Sequence, residues 1–283
     1  MLTAILGGIS AAILWSITSL SASRTSRVIG PFAVVGWMMM IGLVVCGVAL
    51  AIARPPLPLD SRTLTLLLAS GVGNVAGLLL AYRAMTMGKV GIVATIVSTE
   101  GAIAAVCSLS LGESLPFVTL ALLPAITVGV MLTAFAPDPT PVPSERAVLA
   151  AGLATAAALL FGFGTYLTGL MSTEVSPLWA IVPPRLVGTI GIAIPLMLMR
   201  KLTLTRKTAP LVLLGALCEV AGFFAFAVGA QNSVSVAAVL ASLLGAFTAL
   251  GAYLLFRERL SRLQLVGVVV IAVSVALLAG TSH

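Results

Sequence analysis

Apolar residues fill this chain in ten runs of about twenty, separated by short gaps that are polar or carry Pro and Gly. The runs fall at about 2–21, 32–53, 63–86, 90–111 and 116–136, and then at about 147–170, 178–200, 209–229, 233–255 and 262–280. A helix needs about 20 mostly apolar residues to cross a bilayer, so the pattern predicts ten transmembrane helices. The gaps carry helix punctuation. Arg54-Pro55-Pro56 ends the second run, Met87-Gly88-Lys89 forms a tight turn, and Pro116 suits the first turn of the helix that follows it.

The pattern is written twice. Aligning the turn at Leu111-Gly112-Glu113 with Phe256-Arg257-Glu258 sets an offset of 258 − 113 = 145. At that offset Gly73-Asn74-Val75-Ala76-Gly77 falls on Cys218-Glu219-Val220-Ala221-Gly222. At 146, Ala11 to Ser16 falls on Ala157 to Gly162, and Pro31 on Pro177. The expected organisation is a first five-helix repeat over 1–136, a Pro-rich linker over 137–146 and a second five-helix repeat over 147–283. Five spans is an odd number, so the second copy must enter the membrane in the opposite sense. The fold class expected is therefore an all-α integral membrane protein built from two inverted repeats. In secondary transporters of this plan the substrate site lies near the midplane, where the repeats meet.

Composition agrees. The chain is 60% hydrophobic and only 8% charged, where a soluble domain carries about 25% charged residues. Its formal charge of +7 could suggest nucleic acid. No basic helix or stripe is present to track phosphates, however, and the cations sit mostly in the gaps. Cys46, Cys107 and Cys218 are scattered inside apolar runs, as small buried hydrophobes would be, and His283 is the only histidine. No disulfide framework, metal cluster or cofactor motif is expected. Leu2 to Leu20 lacks a basic leader, and its counterpart in the second half is internal, so it is expected to be a structural helix.

The gaps are asymmetric in charge. On one face Arg24, Arg27, Lys89, Arg146, Arg200, Lys201, Arg206, Lys207, Arg257, Arg259 and Arg262 gather. On the other lie only Arg54 and Arg62. The positive-inside rule would put the basic face in the cytoplasm and both termini outside.

Trp15-Ser16 in the first span, Gly112-Glu113 and Arg257-Glu258 resemble motifs of EamA-type members of the drug/metabolite transporter superfamily. The resemblance covers essentially the whole chain. It implies a ten-helix inverted-repeat carrier that exports metabolites, amino acids or drugs by alternating access. It also implies cytoplasmic termini, against the charge count, which leaves orientation open. Many relatives carry Pro thirteen residues before the turn Glu, where this chain has Glu100 and Gly245. Many carry Arg in the second helix of each half, where this chain has Arg185 and Met39.

Ionisable groups at membrane depth are costly and mark function or pairing. Glu100 lies near the middle of the fourth span and Glu219 near the middle of the eighth, in register with Asn74 of the third. Together they could face a central cavity and take a proton, a cation or an amine. Alternatively a glutamate pairs with Arg185 or Arg83, and Asn74 is helix–helix glue. Arg185 follows Pro183-Pro184, which could break the helix and free carbonyls. Arg185 itself either snorkels to the interface or binds a substrate carboxylate. Trp15 and Tyr82 lie deep enough to line a cavity instead of joining an interfacial belt. Glu113 and Glu258 suit caps or ion pairs at turns.

The function expected is a secondary transporter, not an enzyme, in the cell (inner) membrane. It would export a small amphipathic metabolite, amino acid or drug by alternating access, with possible proton coupling. Its partners would be that solute, the bilayer and protons. The alternatives are a non-transporting membrane assembly factor and an uncoupled importer or exchanger. Oligomeric state is not legible.

Overall fold

A computed structural model describes residues 1–56, 60–134 and 146–256, together with isolated positions near the end of the chain. Most of the expected linker, the turn at Arg257-Glu258, the tenth span and His283 lie outside the described residues. Every regular element described is helical. Long helices α1 (Leu2–Ile29), α2 (Pro31–Ala53) and α3 (Ser61–Met87) are followed by α4 (Val90–Val97), α5 (Glu100–Ser110) and α6 (Phe117–Ala134). The order then recurs as α7 (Ala147–Glu174), α8 (Pro177–Gly188), a π-helical turn (Thr189–Ala193), α9 (Ile194–Leu198), α10 (Ala209–Ala230), α11 (Val234–Ala241) and α12 (Leu244–Phe256). Among the described residues six stretches are long and apolar enough to cross a membrane, α8 to α9 counting as one.

The outer surface is what a bilayer requires. Val44, Val48 and Ile52 leave one exposed apolar stripe on α2, and Leu64, Leu68 and Val72 another on α3. Each is spaced by four residues, one helical face. In water such surface would drive association; here it meets lipid, and the chain is a multi-pass membrane protein. Inside, close approach depends on small residues, as is usual where lipid removes the hydrophobic drive between helices.

Contacts exchange between the halves at the offset found in the sequence. α1 lies along α10, and α7 lies along α3. A Cβ on Gly222 would sit 2.7 Å from the Trp15 ring, and one on Gly77 would sit 2.9 Å from the Phe161 ring. Trp15 and Phe161 are themselves 146 apart. Thr18 Oγ1 donates to the Gly215 carbonyl at 3.1 Å, and Ser70 Oγ donates to the Gly164 carbonyl at 3.2 Å. The two bonds join equivalent pairs of positions, 18 matching 164 and 70 matching 215, with the donor at opposite members of the pair. α2 and α8 cross where Gly42 faces Arg185 and Gly188 faces Met39.

Two features depart from the sequence expectation. The fourth and ninth spans are each broken, between α4 and α5 at Ser98-Thr99 and between α11 and α12 at Ser242-Leu243. Hydroxyl back-bonding tightens both turns. Thr99 Oγ1 donates to the Ile96 carbonyl at 2.8 Å and Ser242 Oγ to the Val239 carbonyl at 2.5 Å. Such bonds compete with the regular helical ladder and bend it. By contrast Pro183-Pro184 does not break its helix. α8 runs through both prolines, although neither has an N–H to donate to the carbonyls of Trp179 and Ala180. The irregularity is displaced to the π-helical turn that begins at Thr189.

One tie crosses between the shorter helices. The Glu113 carboxylate accepts from Ser108 Oγ at 2.5 Å, from Ser233 Oγ at 2.5 Å, and from Ser235 N at 3.0 Å and Oγ at 2.6 Å. It thereby caps the start of α11 and fastens it to the end of α5, a negative charge at a helix N-terminus. Burial pushes this carboxyl up, but the four donors outweigh it and hold it below the usual carboxylate range.

The glycine contacts are testable. Gly222→Ala and Gly77→Ala should each destabilise the purified protein, by about 1–3 kcal/mol for an overpacked contact. Gly47→Ala, with nothing within 4 Å of the added carbon, should be neutral or mildly stabilising in the same thermal unfolding series.

Candidate functional site

α8 and α10 supply the two charges at the heart of the protein. Arg185 is fully buried and Glu219 is 1% exposed. Arg185 Nη2 donates to Glu219 Oε2 at 2.5 Å, and Arg185 Nη1 donates to the Ile181 carbonyl at 3.0 Å. The guanidinium carbon stands 4.7 Å from the centre of the Phe223 ring. A planar, weakly hydrated guanidinium is suited to this combination of ion pair and ring stacking. Arg185 is therefore not a snorkelling residue. Its helix turns it inward, and α2, α8 and α10 close around the pair. The pairing alternative raised from the sequence is the one found, between Glu219 and Arg185. Glu219 Oε1 and Arg185 Nε are buried without hydrogen-bond partners among the described residues.

A cavity of about 50 Å³ opens beside the pair. Its wall includes Trp15 and Thr18 of α1, Tyr82 of α3, Glu100 of α5, Phe161 and Thr165 of α7, and Glu219 and Phe223 of α10. The lining thus comes from both halves. The volume suits a few waters or a small head group. It is far short of the roughly 300–1,000 Å³ that encloses a drug-sized ligand, so this conformer is constricted. Trp15 meets Phe223 edge-on at 4.8 Å between ring centroids. The indole N–H, pressed against Gly222, has no acceptor among the described residues.

Glu100 opens α5 just past the Ser98-Thr99 break and is 4% exposed. No described residue hydrogen-bonds or pairs with its carboxyl. Of the six residues picked from the sequence, Glu219, Glu100, Trp15 and Tyr82 line the one cavity, while Arg185 stands behind Glu219. Asn74 is elsewhere. Its Nδ2 donates to the Ser70 carbonyl at 2.9 Å and lies 3.4 Å from Thr168 Oγ1, inside the α3–α7 contact. The register match to Glu219 holds along the helices, but the side chains do different work. The polar cluster of Ser70, Asn74 and Thr168, with 2.6 Å between the two hydroxyl oxygens, ties the helices together. Sequence reasoning missed Phe161 and Phe223. The available signal was that Phe161 is the repeat mate of Trp15, and that Phe223 lies one helical turn beyond Glu219.

Three comparisons bear on this arrangement. A model of the EamA-like transporter family matches residues 2–135 and again 148–280. One solved crystal structure of another protein superposes with a TM-score of 0.73 at 16% identity, covering 97% of this chain and 96% of that chain. At that identity the likeness concerns the fold alone. No curated protein sequence matches.

The pair gives a direct test. Removing one partner of a buried ion pair costs about 3–5 kcal/mol, so Arg185→Met or Glu219→Asn alone should unfold at a clearly lower temperature. Their repeat mates are Met39 and Asn74, so the double variant installs in the second half what the first half already carries. It should recover most of the loss in a thermal double-mutant cycle.

Proposed function

Because this chain belongs to the EamA-like transporter family, we propose that it is a secondary transporter moving a small amphipathic solute, outward across the cell (inner) membrane, by alternating access. In this reading the chain is two five-helix repeats, over 1–136 and 147–283, inverted with respect to one another and joined by the Pro-rich linker, ten spans in all. Their exchangeable contacts supply the two conformers. Rocking that trades the α1–α10 contact against the α3–α7 contact would open the cavity first to one side and then to the other.

What carries the reading is the composition of the cavity wall, two membrane-depth glutamates and aromatic rings drawn from both repeats. Polar groups this deep mark solute or ion paths. Trp15, Tyr82, Phe161 and Phe223 provide the apolar bed, and Glu100 the polar contact. The Arg185–Glu219 pair neutralises the charge beside that bed and holds α8 against α10. A proton on Glu100 and a solute against it exclude one another, which couples the two movements. Asn74 serves the framework and not the solute.

Flux decides the matter. Purified protein in liposomes should move a radiolabelled solute, drawn from a panel of amines, amino acids and aromatic metabolites, faster with a pH gradient than without. Glu100→Gln should reduce that flux to less than about a tenth, the scale of one lost charge-assisted contact. Absence of flux for the whole panel, or full flux in the variant, defeats the reading.

A further inference from the structure

We propose that the solute is an organic cation, a protonated amine on an aromatic or alkyl body, held by Glu100. This deepens the transport reading and rests on it. Two glutamates line the cavity, and the geometry separates their roles. Glu219 has given one carboxylate oxygen to Arg185, whose positive charge offsets its own, and its other oxygen is buried without a hydrogen-bond partner among the described residues. Arg185 in turn is engaged by Glu219, the Ile181 carbonyl and the Phe223 ring, and it does not line the cavity. That pair sums to no charge. Glu100 is the remaining acidic group of the wall, 4% exposed and without a partner among the described residues.

Among the described residues no Lys, Arg or His lines the cavity, so an anionic solute would meet a carboxyl and no counter-charge from them. A neutral polar solute would find the hydroxyls of Thr18, Ser19, Thr165 and Tyr82 and the indole N–H of Trp15, but would leave the Glu100 charge unbalanced. A cation finds both parts of its recognition. A buried carboxylate is costly without a positive charge beside it, and an ammonium group is drawn to aromatic rings as well as to the carboxylate. The small size of the cavity limits what enters this conformer to the head group. The body of the solute would follow as the aromatic walls part.

Probes matched in shape and differing in charge test this. Phenethylamine, 2-phenylethanol and phenylacetate are titrated against purified full-length protein at pH 7.5, with thermal stabilisation and direct calorimetry as readouts. Phenethylamine should bind roughly tenfold or more tightly than either isostere. Glu100→Gln should abolish that preference, and Glu100→Asp should restore part of it. Equal binding of the three probes, no binding of the amine, or an unchanged preference in Glu100→Gln overturns the cation assignment. The transport reading fails separately: an amine that binds through Glu100 and is not moved in liposomes leaves a cation site in a protein that does not transport. Flux of an anion without any amine binding does the reverse.

A different observation independently carries an orientation. We infer that the face bearing Arg24, Arg27, Arg200, Lys201, Arg206 and Lys207 lies in the cytoplasm, so that α1 begins on the outer side. In the sequence, eleven cations fall in the gaps assigned to that face and two in the opposite gaps. The cytoplasmic leaflet is anionic, and short basic gaps are retained against it. This is the reverse of what family resemblance alone implies. In a variant with Cys46, Cys107 and Cys218 replaced, Asp60→Cys should react with a membrane-impermeant maleimide in intact cells, and Leu204→Cys only after the cells are opened. The opposite labelling pattern overturns the orientation.

Discussion

The structure depends on one ion pair held out of water. Arg185 and Glu219 come from consecutive apolar spans, on α8 and α10, but the pair sits where α2 also crosses, at Gly42. Two charges cannot be left in hydrocarbon singly, so the three helices must keep the geometry that satisfies both. The same pair is where the two halves stop being alike. The repeat mates of Arg185 and Glu219 are Met39 and Asn74, an apolar side chain and a neutral amide. A protein that began as two equal copies has put its buried charge on one side of the seam. The other side keeps a hydroxyl–amide cluster of Ser70, Asn74 and Thr168.

That asymmetry shapes the cavity. Because Arg185 cancels Glu219, the wall is left with Glu100 as its uncompensated acid, among Trp15, Tyr82, Phe161 and Phe223. Glu100 owes its place to the break in its span. Thr99 returns its hydroxyl to the Ile96 carbonyl, the helix restarts, and the first residue of α5 is the glutamate. α11 and α12 break in the matching place through Ser242, but with Gly245 at the position equivalent to Glu100. Interrupted helices in both halves are what a carrier with a midplane site uses. The short helices α5 and α11 also carry the tie through Glu113, so the two broken spans are fastened to each other at one end.

Much of this was legible in the chain because two physical constraints write long signals. Crossing a bilayer demands runs of about twenty apolar residues, and duplication repeats every one of them with the same register. The rotation of a side chain about its helix leaves no such trace in a uniformly apolar run. Asn74 and Glu219 match in register yet point to different neighbours. Phe161 and Phe223 look like any other lipid-facing or core phenylalanine until Trp15 and Arg185 are placed beside them. Arg185, about seven residues into its apolar run, reads equally well as a snorkelling or a buried group. Only the packing of α2 and α10 decides. The breaks at Ser98-Thr99 and Ser242-Leu243 escaped because they use hydroxyls in place of proline, while the prolines at 183 and 184 sit in a helix that continues through them.

The central claim is that the cavity between the halves is a path open to each side in turn. The most direct measurement is thiol accessibility at Thr165→Cys, a lining position that is 2% exposed in this conformer. A membrane-impermeant reagent is applied to right-side-out and to inside-out vesicles. Alternating access predicts that this single position reacts from both sides, more slowly when solute is bound. Reaction from neither side, or from one side only, would contradict it.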